Sequence, residues 1–81
     1  MKHTFDGEEF EIFRGSDIIH DGMYLEARRT SIYRERVLVA FFSDETGKFT
    51  FSAYREDLPF ELVEAFVTRA REQLPPHQED K

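Results

Sequence analysis

Six consecutive apolar residues, Val37-Leu38-Val39-Ala40-Phe41-Phe42, stand in the middle of a chain of 81 residues. The run is too short for a typical helix and far short of the roughly 20 residues that span a bilayer. Its β-branched and aromatic members suit a central strand buried on both faces. The polar segment after it, Ser43 to Lys48, holds Gly47 where a hairpin loop wants a left-handed residue. Phe49, Phe51 and Ala53 then alternate with Thr50, Ser52 and Tyr54, as a strand with one wet face does. A hairpin therefore sits at the centre of the chain, and the rest must supply its neighbours and its cover.

Upstream, Asp6-Gly7 separates His3-Thr4-Phe5 from Glu8-Glu9-Phe10-Glu11-Ile12-Phe13. Both residues tolerate positive φ, so the pair predicts a tight hairpin turn. Gly15-Ser16-Asp17 reads as a break, and Asp21-Gly22 as a second turn. Met23, Leu25 and Ala27 alternate with Tyr24, Glu26 and Arg28, which predicts another half-buried strand. Thr30 to Glu35 is the expected connection to the apolar run.

Downstream, one helix is predicted from about Leu58 to Leu74, with Pro59 in its first turn and Asp57 as cap. Phe60, Val63, Phe66, Val67, Ala70 and Leu74 form its apolar stripe, opposite Glu61, Glu64, Thr68, Arg71 and Glu72. Pro75-Pro76 stops it. The expected fold is α+β: an antiparallel meander of four to five strands with one C-terminal helix packed across one face. Residues 1–74 form a single domain and 75–81 a flexible polar tail.

The formal charge of −6 is uneven. Arg28, Arg29, Arg34 and Arg36 face only Glu35, a basic island in an acidic chain. That background repels a phosphate backbone everywhere else, which disfavours wholesale nucleic-acid binding. Cysteine is absent, so disulfides and thiolate metal sites are excluded. No apolar leader or membrane span is visible, which points to a cytoplasmic protein.

Catalytic chemistry needs a nucleophile, a base and an orienting group brought together. His20, beside Asp17 and Asp21, is the best-placed histidine, and a solvated turn residue is its ordinary role. Asp6, Glu8, Glu9 and Glu11 do not converge as metal ligands, because Glu8 and Glu9 point to opposite faces of a strand. They fit a charged edge strand better. Phosphate-binding glycine loops are missing. The expectation is no catalytic, cofactor or metal site, and hence no enzyme.

One helix covers one sheet face, whereas alternation sends Val37, Val39 and Phe41 one way and Leu38, Ala40 and Phe42 the other. An apolar face left over meets either a partner or the N-terminal segment folded across it. The sequence-based expectation is a small acidic protein-binding module of adaptor, inhibitor or immunity type. Its partner is a second copy or another protein, and its candidate surface is Tyr24, Arg28, Tyr33, Arg34 and Tyr54, with Tyr54 or Tyr24 near a homodimer interface. The alternative is a nucleic-acid or polyanion module using Arg28, Arg29, Tyr33, Arg34 and Arg36.

Overall fold

The computed structural model describes residues 2–31 and 35–74. Five strands run in chain order: β1 (Lys2–Phe5), β2 (Glu8–Asp17), β3 (Gly22–Arg29), β4 (Glu35–Ser43) and β5 (Phe49–Ala53). Each pairs antiparallel with the next, so the sheet order is β1-β2-β3-β4-β5. One helix, α1 (Phe60–Gln73), follows. The fold is the expected α+β meander with a single C-terminal helix.

The turn chemistry explains the registers. Asp6 and Gly7 both take positive φ, 52° and 74°, which matches the right-handed twist of a two-residue hairpin. Gly47 has φ 72° and donates its N–H to the Ser43 carbonyl at 2.8 Å, closing the β4–β5 loop. Gly15 to Asp17, read as a break, instead continues β2 to its end. The missing side chain at Gly15 serves the neighbouring strand rather than a turn, as shown below.

The acids of β2 also behave differently from expectation. The edge strand is β1; β2 is internal, and its acids reach across to β3 and the residue after it. Glu8 lies 3.2 Å from the Nε of Arg29, and Glu9 accepts a hydrogen bond from the Thr30 hydroxyl at 2.9 Å.

The core is Phe10, Ile12, Leu25, Ala27, Val37, Leu38 and Ala40 from the sheet, with Leu62, Phe66, Ala70 and Leu74 from or beside α1. Val37 and Leu38 are consecutive, yet both are fully buried in this one cluster. The register accounts for it. Ala27 pairs with Leu38 and Arg28 with Arg36, which leaves Val37 as the extra residue of a β-bulge. The bulge breaks the strict alternation expected of the apolar run. Val39, Phe41 and Phe42 are only half-buried, so β4 is not fully covered on both faces.

The helix begins at Phe60, with Pro59 as the residue before it and no side-chain cap. Asp57 takes a left-handed φ of 57° in the approach instead of capping. The buried face is Leu62, Phe66 and Ala70, with Leu74 just beyond, whereas Phe60 is 69% and Val67 39% exposed. The true stripe is therefore rotated from the predicted one toward Leu62. Phe60 lies off the buried face, and Val67 borders the groove beside β5. Residues 2–17 form β1 and β2 within the sheet, so they do not fold across its second face. The predicted tail, 75–81, lies outside the described residues.

Candidate functional site

With α1 on one face, no element among the described residues covers the other face of the sheet. The register places on it Phe13, Glu26, Val39 and Ser52 in one row, and Gly15, Tyr24, Phe41 and Thr50 in the next. Two glycines shape this face. A Cβ built at Gly15 would lie 2.5 Å from the Tyr24 hydroxyl and 2.6 Å from its Cζ. A Cβ at Gly22 would meet the Phe42 carbonyl oxygen and would lie 2.5 Å from the Phe41 Cζ. The Tyr24 and Phe41 rings thus lie down over the backbone of the neighbouring strands, where only glycine leaves room.

The open face carries charge among its rings. Glu26 is 5% exposed, the only buried charged side chain among the described residues, and it pairs with the Arg28 guanidinium. Arg28 also rests over the Phe13 ring, 5.5 Å from its centroid. Directly opposite Arg28 across the ladder stands Arg36, a like-charge pairing that a sheet ordinarily avoids. Glu26 neutralises the first arginine. Arg36 stacks over Tyr54 at 5.0 Å, and among the described residues it makes no ion pair and donates no hydrogen bond.

At the rim, Asp17 organises the β2–β3 loop. Its Oδ1 accepts the backbone N–H groups of Ile19 and His20 at 3.1 and 3.0 Å, and its Oδ2 lies 2.9 Å from His20 Nδ1. The His20 side chain holds the Asp17 carboxyl below its ordinary pKa, with backbone hydrogen bonding helping. Among the described residues, the His20 ring is hydrogen-bonded to Asp17 and to no hydroxyl. A hollow of about 510 Å³ opens between this rim and the floor, lined by Asp17, His20, Tyr24, Glu26, Arg36, Val39, Phe41 and Thr50.

A second feature lies at the β5 edge. All five residues of β5 are exposed, and Phe49 and Phe51 remain 43% and 50% exposed although they lie on the helix side. Phe51 meets Phe66 edge-on at 6.2 Å, and Phe49 meets Phe42 at 5.2 Å. Beside them an apolar groove of about 180 Å³ runs between β5 and α1, with Val67, Ala70 and Arg71 on its helix wall. Backbone bonds from Ser43 N–H to the Lys48 carbonyl and from Tyr54 N–H to the Val37 carbonyl point inward. By alternation, the N–H and C=O groups of Phe49, Phe51 and Ala53 point away from the sheet.

Of the predicted surface, Tyr24, Arg28 and Tyr54 meet on or beside the open face; Tyr33 and Arg34 lie outside the described residues. The exposed Phe49, Phe51, Phe60 and Val67 are not among the predicted surface residues. The clue available was the charge-free stretch Phe49–Ala53, which a guarded edge strand does not show. No helix among the described residues is long and apolar enough to cross a membrane. No protein-family model matches the chain, and neither the curated proteins nor the solved structures contain a match to it.

Proposed function

We propose that this protein is a non-enzymatic interaction module of the cytoplasm that binds by strand addition at β5, with a second copy of itself as partner. The observation that carries this reading is the unguarded edge. From Phe49 to Ala53 the strand has no charge, no proline and no bulge to repel an incoming strand. Its outward N–H and C=O groups supply the hydrogen bonds, and the groove beside α1 supplies apolar cover.

The strand suits its own copy. Antiparallel pairing about Phe51 sets Phe51 against Phe51, Phe49 against Ala53, and Thr50 against Ser52, so like meets like without opposed charges. Phe49, Phe51 and Val67, which border the groove together, are 43%, 50% and 39% exposed. A two-fold pairing at β5 would bury these side chains along with the strand edge. The polyanion alternative has less support, because Arg28 is paired with Glu26 and Arg29 with Glu8.

Sedimentation equilibrium at several loadings tests the reading. A dimer at micromolar concentration is expected, insensitive to salt, and Phe49→Lys should make it a monomer while the far-ultraviolet circular dichroism is unchanged. A wild-type monomer at every loading, or a dimer that Phe49→Lys leaves intact, refutes it.

A further inference from the structure

The open-face hollow is separate from the β5 edge and carries a different chemistry. Its floor is aromatic: Tyr24 and Phe41 line it, their rings seated against the neighbouring strands at Gly15 and Gly22. Flat rings of this kind accept a stacked planar partner. Its charges are arranged unequally. Glu26 is already matched by Arg28, and Asp17 is engaged by hydrogen bonds from the His20 loop. Arg36, by contrast, makes neither an ion pair nor a hydrogen bond among the described residues. A guanidinium opposite another arginine is a local cost that sheets do not normally retain, and such violations gather at functional sites.

We infer that this hollow binds a small planar ring bearing one anionic group, the ring stacked on Tyr24 and Phe41 and the anion held by Arg36. Guanidinium groups grip carboxylate or phosphate oxygens with two parallel charge-assisted hydrogen bonds. His20 contributes the polar edge: its Nδ1 is committed to Asp17, which leaves Nε2 to meet a donor or acceptor on the ligand. The volume of the hollow lies within the range of small-ligand sites. A nucleic-acid chain does not fit the same pattern. Successive phosphates need several unpaired cations, whereas Arg36 stands among Glu26, Asp17 and the already neutralised Arg28.

Amide and arginine side-chain NMR shifts test this, with four probes: indole-3-acetate, adenosine monophosphate, adenosine and inorganic phosphate. Ring and anion together should be required. At least one of the first two should shift Tyr24, Phe41 and the Arg36 Nε–H at submillimolar concentration, and the one that binds names the source as carboxylate or phosphate. Adenosine and phosphate should bind at least tenfold more weakly. Arg36→Gln should weaken the binding at least tenfold, with the fold and oligomeric state unchanged. Three results overturn the inference: no shift with either anionic ring at about 1 mM, undiminished binding by Arg36→Gln, or shifts confined to the β5 groove. Tighter, steeply salt-dependent binding of a single-stranded oligoribonucleotide would overturn it in favour of a polymer.

Discussion

Replacing Gly22 with alanine separates what the sheet backbone can absorb from what a side chain can absorb. Neither Gly22 nor Gly15 uses a positive φ, so alanine is compatible with the backbone at both. By itself, removing glycine's freedom from the unfolded chain stabilises by about 0.4–1 kcal/mol. At Gly22 the new methyl group falls inside contact distance of the Phe42 carbonyl oxygen and 2.5 Å from the Phe41 Cζ. That carbonyl belongs to β4 in the middle of the sheet and moves only if the β3–β4 ladder moves with it. Overpacking of this kind costs about 1–3 kcal/mol, and a loosened ladder bond adds about 1 kcal/mol. The net expectation is a loss of roughly 1–3 kcal/mol, or about 5–20 °C in melting temperature for a domain of this size. At Gly15 the obstructing atoms all belong to the Tyr24 ring, a half-buried side chain that can swing aside. Gly15→Ala should therefore stay within about 1 kcal/mol of wild type. It should nonetheless displace Tyr24 and weaken ligand binding in the hollow. Thermal and urea melts followed by far-ultraviolet circular dichroism decide it. Equal stability of Gly22→Ala and wild type, or equal losses in the two variants, would refute the reasoning.

Phe66 is fully buried between α1 and the sheet, so Phe66→Ala should cost about 3–5 kcal/mol, against a total stability of about 4–12 kcal/mol. Urea melts check it, and a shift under 1 kcal/mol would contradict the packing described. Phe60→Ser, at a side chain 69% exposed, should stay within about 0.5 kcal/mol in the same melts. Burial lowers the pKa of His3, with the nearby Arg69 and the N-terminal ammonium adding to the effect, and its Nε2 is buried without a partner. As pH falls below about 6.5 the unfolded chain takes up this proton first, so stability should decline from there until the lowered folded value is passed, then level off. Melting temperatures across that window should show the step, and His3→Gln should flatten it.

Strand and turn positions were legible because their chemistry is local. Asp6-Gly7 and Gly47 carry positive φ for reasons present in two or three residues, and the Phe49–Ala53 alternation needs no partner to be read. What escaped is set across strands. Gly15 looked like a break because its role, making room for Tyr24, is visible only once β2 and β3 are in register. The burial of Val37 with Leu38 depends on a bulge opposite Ala27 and Arg28 that no pattern within β4 announces. Leu62 replaced Phe60 and Val67 on the buried face because helix rotation is decided by packing against the sheet, which the apolar spacing of the helix alone does not reveal. The isolation of Arg36 likewise follows from Glu26 and Arg28 finding each other first.

The two borders of this sheet are unlike. At β1 the border residues include Lys2 and His3, and a four-residue strand offers little length for pairing. At β5 the border is neutral and aromatic. A sheet adhesive on both sides would recruit copies without limit and grow into a filament. In the dimer proposed above, joining through β5 about a two-fold axis would use up the adhesive border of both subunits at once. What then faces solvent at either end is β1, which resists further addition. The proposed pairing thus carries its own stop: a dimer closed through β5 leaves no third chain a neutral border to join.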